Sequence, residues 1–210
     1  MEISITVILI AITCLTSYQA FRNHNMMGRW MFTPYLIRTD NQFDRFVLSG
    51  FIHKDGTHLL FNMFTFYFFG RLVEQFLLYK LGDITGSIVY VLFYIIAIVI
   101  ADIPTYFKQK DNPNYHALGA SGGVSAAVFA SIMLVPLSDI CLFGLICLPG
   151  FILGILFLIY SVVKGMQDKD GINHDAHLYG ALFGILFILI LTPQSAVNFY
   201  DQIINYRPFT

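Results

Sequence analysis

Residues 117–136 read Ala-Leu-Gly-Ala-Ser-Gly-Gly-Val-Ser-Ala-Ala-Val-Phe-Ala-Ser-Ile-Met-Leu-Val-Pro, which sets a glycine-flanked serine, Ser121, at the mouth of an apolar segment. A polar run ending in Asn114, Tyr115 and His116 precedes the stretch and Pro136 closes it, so the pattern predicts a helix with Ser121 in its first turn. Backbone N–H groups in a first turn have no partner within the helix. Such donors can hold an anion, which suits a nucleophile whose product is an oxyanion. Close packing of a glycine-bearing helix accounts for the same residues, so the remainder of the chain has to discriminate.

Of 210 residues, 57% are hydrophobic and 12% charged, with 21 Phe and a mean hydropathy of +0.68. That balance belongs to an integral membrane protein. A net charge of −1 gives no reason to expect nucleic acid, and Lys108 with Lys110 is too small a basic cluster to argue for it. Cys14, Cys141 and Cys147 lack metal or redox spacing and read as small packing residues, with no disulfide framework. Met-Glu-Ile-Ser-Ile-Thr has no basic region of a signal peptide, so residues 3–21 read as a retained first span.

Apolar runs then mark further spans at 58–78, 84–103, 118–136, 149–164 and 176–192, which gives an all-α bundle of six transmembrane helices in a single domain, 1–210. The third span is expected to close at Asp102 and Pro104. Starting the fifth at Pro149 leaves it short, about 24 Å at 1.5 Å per residue, and residues 138–148 fit either an interfacial segment or the start of that helix. The connection 22–57 is too long to be structureless, so it is expected to be folded or partly sunk in the interface, with Trp30, Phe32, Tyr35, Phe43 and Phe46 as belt aromatics. The glycine-containing loop 164–175 reads as a mobile cap, and the tail 193–210 as interfacial or exposed.

Counting spans places the starts of the second, fourth and sixth on one side of the membrane. These starts carry His58 with Asn62 at i and i+4, Ser121, and His177. On the sixth span Gly180 and Gly184 lie about 60° and about 20° from His177 around the helix axis. His177 therefore points along a face that another helix can approach closely, and the fourth span, stripped of bulk by Gly119, Gly122 and Gly123, is the expected partner. Imidazole titrates near neutrality and can take the serine proton. His58, Asn62 and the Ser121 N–H would then be oxyanion donors, each worth on the order of 2.7–4 kcal/mol.

These residues resemble the rhomboid family of intramembrane serine proteases. The marks are His58/Asn62 opening the second span, Gly119-Ala120-Ser121-Gly122 opening the fourth, and Ala176-His177 with Gly180 and Gly184 in the sixth, preceded by Phe51-Ile52-His53; the likeness covers residues 45–190. It implies a rhomboid-type bundle with a long, partly embedded first loop. It implies a Ser121–His177 dyad without a carboxylate, an oxyanion hole from His58, Asn62 and the Ser121 backbone, and no cofactor or metal. The substrates implied are single-pass transmembrane proteins cut near the extracytoplasmic surface, with membrane lipid as the surroundings and no oligomeric state specified. A minimal six-span layout suggests a bacterial inner membrane.

Two departures stand out. Ser125 occupies the place where many members carry an aromatic residue stacked on the catalytic histidine, and the Trp-Arg element of some first loops is present only reversed, as Arg29-Trp30. Loops on the Ser121 side also hold nine Lys or Arg against Arg71, Lys80 and Arg207 on the other, opposite to the positive-inside expectation for an extracytoplasmic site. The competing classes are a catalytically impaired rhomboid-like protein that binds membrane clients, and a small transporter. Clustering of the polar groups near one surface disfavours a conduction path. Metalloprotease and aspartyl protease motifs are missing.

Overall fold

The computed structural model describes residues 4–142, 146–167 and 172–207. Helices occupy all of the expected span positions: α1 (Ile5–Arg22), α5 (Gly56–Leu81), α6 (Asp83–Gln109), α7 (Ser121–Leu134), α8 (Gly150–Gln167) and α9 (His174–Leu191). Of these, α1, α6 and α9 are long and apolar enough to cross a membrane by length and composition. The first loop is folded, as its length required, into α2 (His24–Trp30), α3 (Pro34–Asp40), α4 (Arg45–Leu48) and a 3-10 turn, Ser49–Phe51. The tail forms one more helix, α10 (Gln194–Ile204).

α7 is the central helix, and eleven of its fourteen residues are buried. Its closest neighbour is α9, at a distance that only glycine permits. A Cβ placed on Gly180 would collide with the Gly122 carbonyl, and one on Gly184 with the Ala126 carbonyl. Small residues in register thus let two backbones touch, and dispersion contacts replace the hydrophobic drive that lipid cannot supply. α5 and α6 close the other side, with Phe66 stacked on Tyr94 at 4.4 Å and Phe93 against Phe187 of α9 at 4.6 Å.

α1 is fastened at the end of the molecule remote from Ser121. There the buried Glu74 carboxylate of α5 accepts from the N–H groups of Ile5 and Thr6 at 2.6 and 3.2 Å and from the Thr6 hydroxyl at 2.7 Å. It satisfies first-turn donors that apolar surroundings would otherwise leave bare, and its charge suits the positive end of the helix dipole.

The structure corrects four expectations. The third span does not close at Pro104; α6 continues to Gln109, because Thr105 and Lys108 in the added turns bond to the start of α9. Residues 139–142 and 146–149 are not the start of α8 but two short antiparallel strands, β1 (Asp139–Leu142) and β2 (Ile146–Pro149). Register sets Cys141 opposite Cys147, and the two form a disulfide where packing residues were expected. Phe32 is no belt residue either: it is fully buried and packs on Phe46 at 5.2 Å, while Phe43 remains exposed. The centre of the expected mobile cap, residues 168–171, lies outside the described residues.

The glycine contact makes a quantitative demand. Gly→Ala within a helix ordinarily gains up to about 1 kcal/mol, but overpacking a close contact costs about 1–3 kcal/mol. In detergent micelles Gly184→Ala is therefore expected to lower the thermal unfolding midpoint. Gly28→Ala in α2, where an added Cβ meets nothing within 4 Å, should leave it unchanged or raise it. Equal midpoints for the two variants would contradict the packing described.

Candidate active site

Alternation of the helices brings the starts of α5, α7 and α9 to one end of the bundle. Ser121 is the first residue of α7, half-buried, directly after Gly119 and Ala120. Gly119 has φ +123°, which disfavours any side chain, and the space its Cβ would fill is taken by the His58 ring, whose Cε1 and Nε2 lie 2.6 and 3.0 Å from that point. The glycine thus admits the His58 imidazole against the loop that carries Ser121. Asn62 is buried one turn further along α5, and its Nδ2 donates to the His58 carbonyl at 2.9 Å.

His177 stands in the first turn of α9, immediately after Ala176, whose carbonyl lies 3.6 Å from where a Gly122 Cβ would be. The α9 histidine and the α7 serine are therefore carried by helix turns in direct contact. Between α6, α7 and α9 lies a small pocket whose walls include Ser121, Gly119, Gly122, Asp102, Asn173 and Ala176.

Ser125 is buried one turn below Ser121 and offers the imidazole no ring. The aromatic contact comes from another helix: Phe157 of α8 lies 5.9 Å from the His177 ring at an interplanar angle of 33°, and Phe157 is itself backed by Phe129 of α7 at 5.8 Å. His174 also meets His177, edge-on at 5.8 Å. Helical spacing within α7 gives no hint of Phe157, since the residue comes from 36 positions further along the chain.

The segment leading into Ser121 is laced to the first loop. Phe32 and Ala117 exchange both backbone hydrogen bonds, at 2.8 and 3.0 Å, and the Gly119 N–H donates to the Ser49 carbonyl at 2.9 Å. The Ala120 N–H donates to Nε2 of His53 at 3.3 Å, and the other ring nitrogen lies 3.1 Å from the Ser17 hydroxyl of α1. An Nε2 that accepts must be unprotonated, so the proton sits on Nδ1, facing Ser17. His53 is fully buried, and burial, reinforced by the neighbouring His58, pushes its pKa down to about 3. It is a neutral connector between α1, the first loop and the Ser121 turn. Arg45 holds the same loop from within, donating to the carbonyls of Gly28 and Met31 at 3.0 and 2.6 Å and to Gln42 Oε1 at 2.6 Å.

Comparison with known proteins gives the family. The family model described as Rhomboid domain matches residues 40–194, and the chain belongs to the rhomboid family. It is 29% identical over 164 residues to RHOMBOID-like protein 12, mitochondrial, of Arabidopsis thaliana, covering 73% of this chain and 49% of that protein. It is 27% identical to Rhomboid-like protein 11, chloroplastic, of the same plant, covering 81% and 60%, and 28% identical to Presenilin-associated rhomboid-like protein A, mitochondrial, of Danio rerio, covering 77% and 43%. The chain thus spans roughly half the length of these relatives. The names of these relatives place them in mitochondria or chloroplasts, so they lend no support to the bacterial inner membrane expected from the span count.

The neutral His53 makes stability pH-dependent in a defined sense. Above its ordinary pKa of 6.5 the ring is neutral in folded and unfolded chains alike, and the contribution is complete. As pH falls from 6.5 toward 3, the unfolded chain takes a proton that the folded one refuses, and stability is lost. Between pH 7.5 and pH 5 the loss from this group is on the order of 1–2 kcal/mol. Thermal unfolding should show that drop in the wild type and a flatter pH dependence in His53→Gln; parallel curves would contradict the assignment.

Proposed function

We propose that the protein is an intramembrane serine endopeptidase that cleaves single-pass transmembrane proteins, with all of α1 and α5–α9 set in the bilayer. The observation that carries this reading is the direct contact between the helix turns bearing Ser121 and His177, with the His58 ring lodged in the space left by Gly119. In this mechanism His177 takes the Ser121 hydroxyl proton as the oxygen attacks the scissile carbonyl. His58, the Asn62 amide and the Ser121 N–H, which lies in the first turn of α7, stabilise the oxyanion. Collapse of the tetrahedral adduct breaks the C–N bond, and the His177 imidazolium returns its proton to the leaving amine. Water, activated by the same imidazole, then hydrolyses the acyl-enzyme and regenerates the Ser121 hydroxyl. Phe157 keeps the imidazole ring in plane in place of the aromatic residue that Ser125 replaces.

We place the site toward the extracytoplasmic surface, as in the family. Much of the positive charge on that side is committed within the fold: Arg45 is buried, and Arg29, Arg38 and Lys108 pair with Asp44, Asp111 and Asp175. The Cys141–Cys147 disulfide at the opposite end pulls the other way, because disulfides persist in oxidising compartments. The competing function, a catalytically impaired protein that binds membrane clients, draws on Ser125 alone.

Co-expression with a single-pass substrate whose two ends carry different tags separates these readings. The expected outcome is a cut near the extracytoplasmic surface, abolished by Ser121→Ala and by His177→Ala. The rate should fall roughly 100-fold or more in His58→Ala or Asn62→Ala if these residues act as oxyanion donors. Capture of an uncut substrate by the folded wild type would establish the client-binding reading, and a cut on the opposite face would reverse the orientation.

A further inference from the structure

The pocket beside Ser121 contains one group for which the dyad has no use, the partly buried carboxylate of Asp102 on α6. Asp102, Thr105 and Lys108 recur at intervals of three residues and so share a helix face. All of them reach the start of α9. Asn173 Nδ2 donates to Asp102 Oδ1 at 3.1 Å, Thr105 Oγ1 donates to Asn173 Oδ1 at 2.8 Å, and Lys108 Nζ pairs with Asp175 at 2.6 Å. Asn173 also caps α9, its Oδ1 accepting from the Ala176 N–H at 3.1 Å. Both ends of that amide are therefore engaged, one on α6 and the other on the turn from which His177 projects.

A carboxylate at this depth is costly, and helix packing alone would be served by an apolar residue. Lys108–Asp175 is an exposed pair, with the lysine side chain 57% accessible, and contributes little. The polar part of the α6–α9 contact near Ser121 therefore rests on Asn173 and its partners Asp102 and Thr105. Extension of α6 past Pro104 puts Thr105 where it completes the arrangement.

We propose that Asp102 is a positioning residue: by holding the Asn173 amide it sets the first turn of α9, and with it the place of the His177 imidazole relative to Ser121. The inference rests on the reading of Ser121 and His177 as the reacting pair. It requires a hydrogen-bond acceptor at position 102 and not a negative charge. Asp102→Asn keeps an oxygen facing Asn173 Nδ2, whereas Asp102→Leu removes it. Asn173→Asp keeps the cap on α9 but has no N–H to give to Asp102. The double variant Asp102→Asn/Asn173→Asp restores the bond with its direction reversed.

The test is steady-state cleavage of a single-pass substrate in proteoliposomes, with thermal midpoints measured on the same preparations. Asp102→Leu and Asn173→Asp should each lower kcat about 10- to 100-fold with KM nearly unchanged, since a misplaced base slows the chemical step and leaves substrate binding alone. Asp102→Asn should remain near the wild-type rate, and the double variant should recover most of what Asn173→Asp loses. Should Asp102→Leu fail to fold, the Asn173→Asp single and double pair still decides the matter. A wild-type kcat in folded Asp102→Leu, an Asp102→Asn as slow as Asp102→Leu, or a double variant no faster than Asn173→Asp overturns this inference alone. A folded wild type that cleaves nothing overturns the dyad reading and this one with it.

Discussion

Where two helices meet backbone to backbone there is no side chain to adjust, and their relative position is fixed to within a fraction of an ångström. The contact between α7 and α9, at Gly122 with Gly180 and Ala126 with Gly184, is of this kind. Sliding one helix past the other by a single residue would replace these carbonyl contacts with larger side chains. The same register that makes the packing possible sets Ala176 and His177 beside Ser121 and Gly122. Stability and site geometry thus come from one constraint.

A second constraint acts on the approach to Ser121. The three backbone N–H groups of Ala117, Gly119 and Ala120 are bound by Phe32, Ser49 and His53, all from the first loop. His53 passes the restraint on to α1 through Ser17, and α1 is pinned at its other end by Glu74. The long first loop is therefore a prop for the serine turn, which explains why a segment outside the helix bundle is so extensively folded. The chain places aromatic support for His177 on α8, a helix that packs chiefly against α9, so the orientation of the imidazole is tied to where α8 stands.

Much of this was legible in the sequence because it depends on local spacing. Apolar runs located every long helix to within a few residues at most ends, and Gly180 and Gly184 on the His177 face identified the α7–α9 contact. What escaped was decided between distant segments. Nothing near Asp102 announces Asn173, 71 residues later, so Pro104 looked like a terminus although tertiary bonds carry α6 beyond it. Cys141 and Cys147 show no recognisable spacing until a strand pair sets them opposite one another. His53 was visible as part of a motif, but its connector role needs the buried Ala120 N–H that only the folded chain supplies. Phe157 is invisible for the same reason, since the position that spacing points to holds Ser125.

The account stands or falls on whether Ser121 is a nucleophile activated by His177, and covalent labelling by a fluorophosphonate probe reads this without any knowledge of the physiological substrate. Purified wild-type protein in detergent should acquire one adduct, mapped by mass spectrometry to Ser121. Labelling should disappear in Ser121→Ala, fall strongly in His177→Ala, and be indifferent to chelators. A folded wild type that stays unlabelled, or that carries the adduct on another residue, would contradict it.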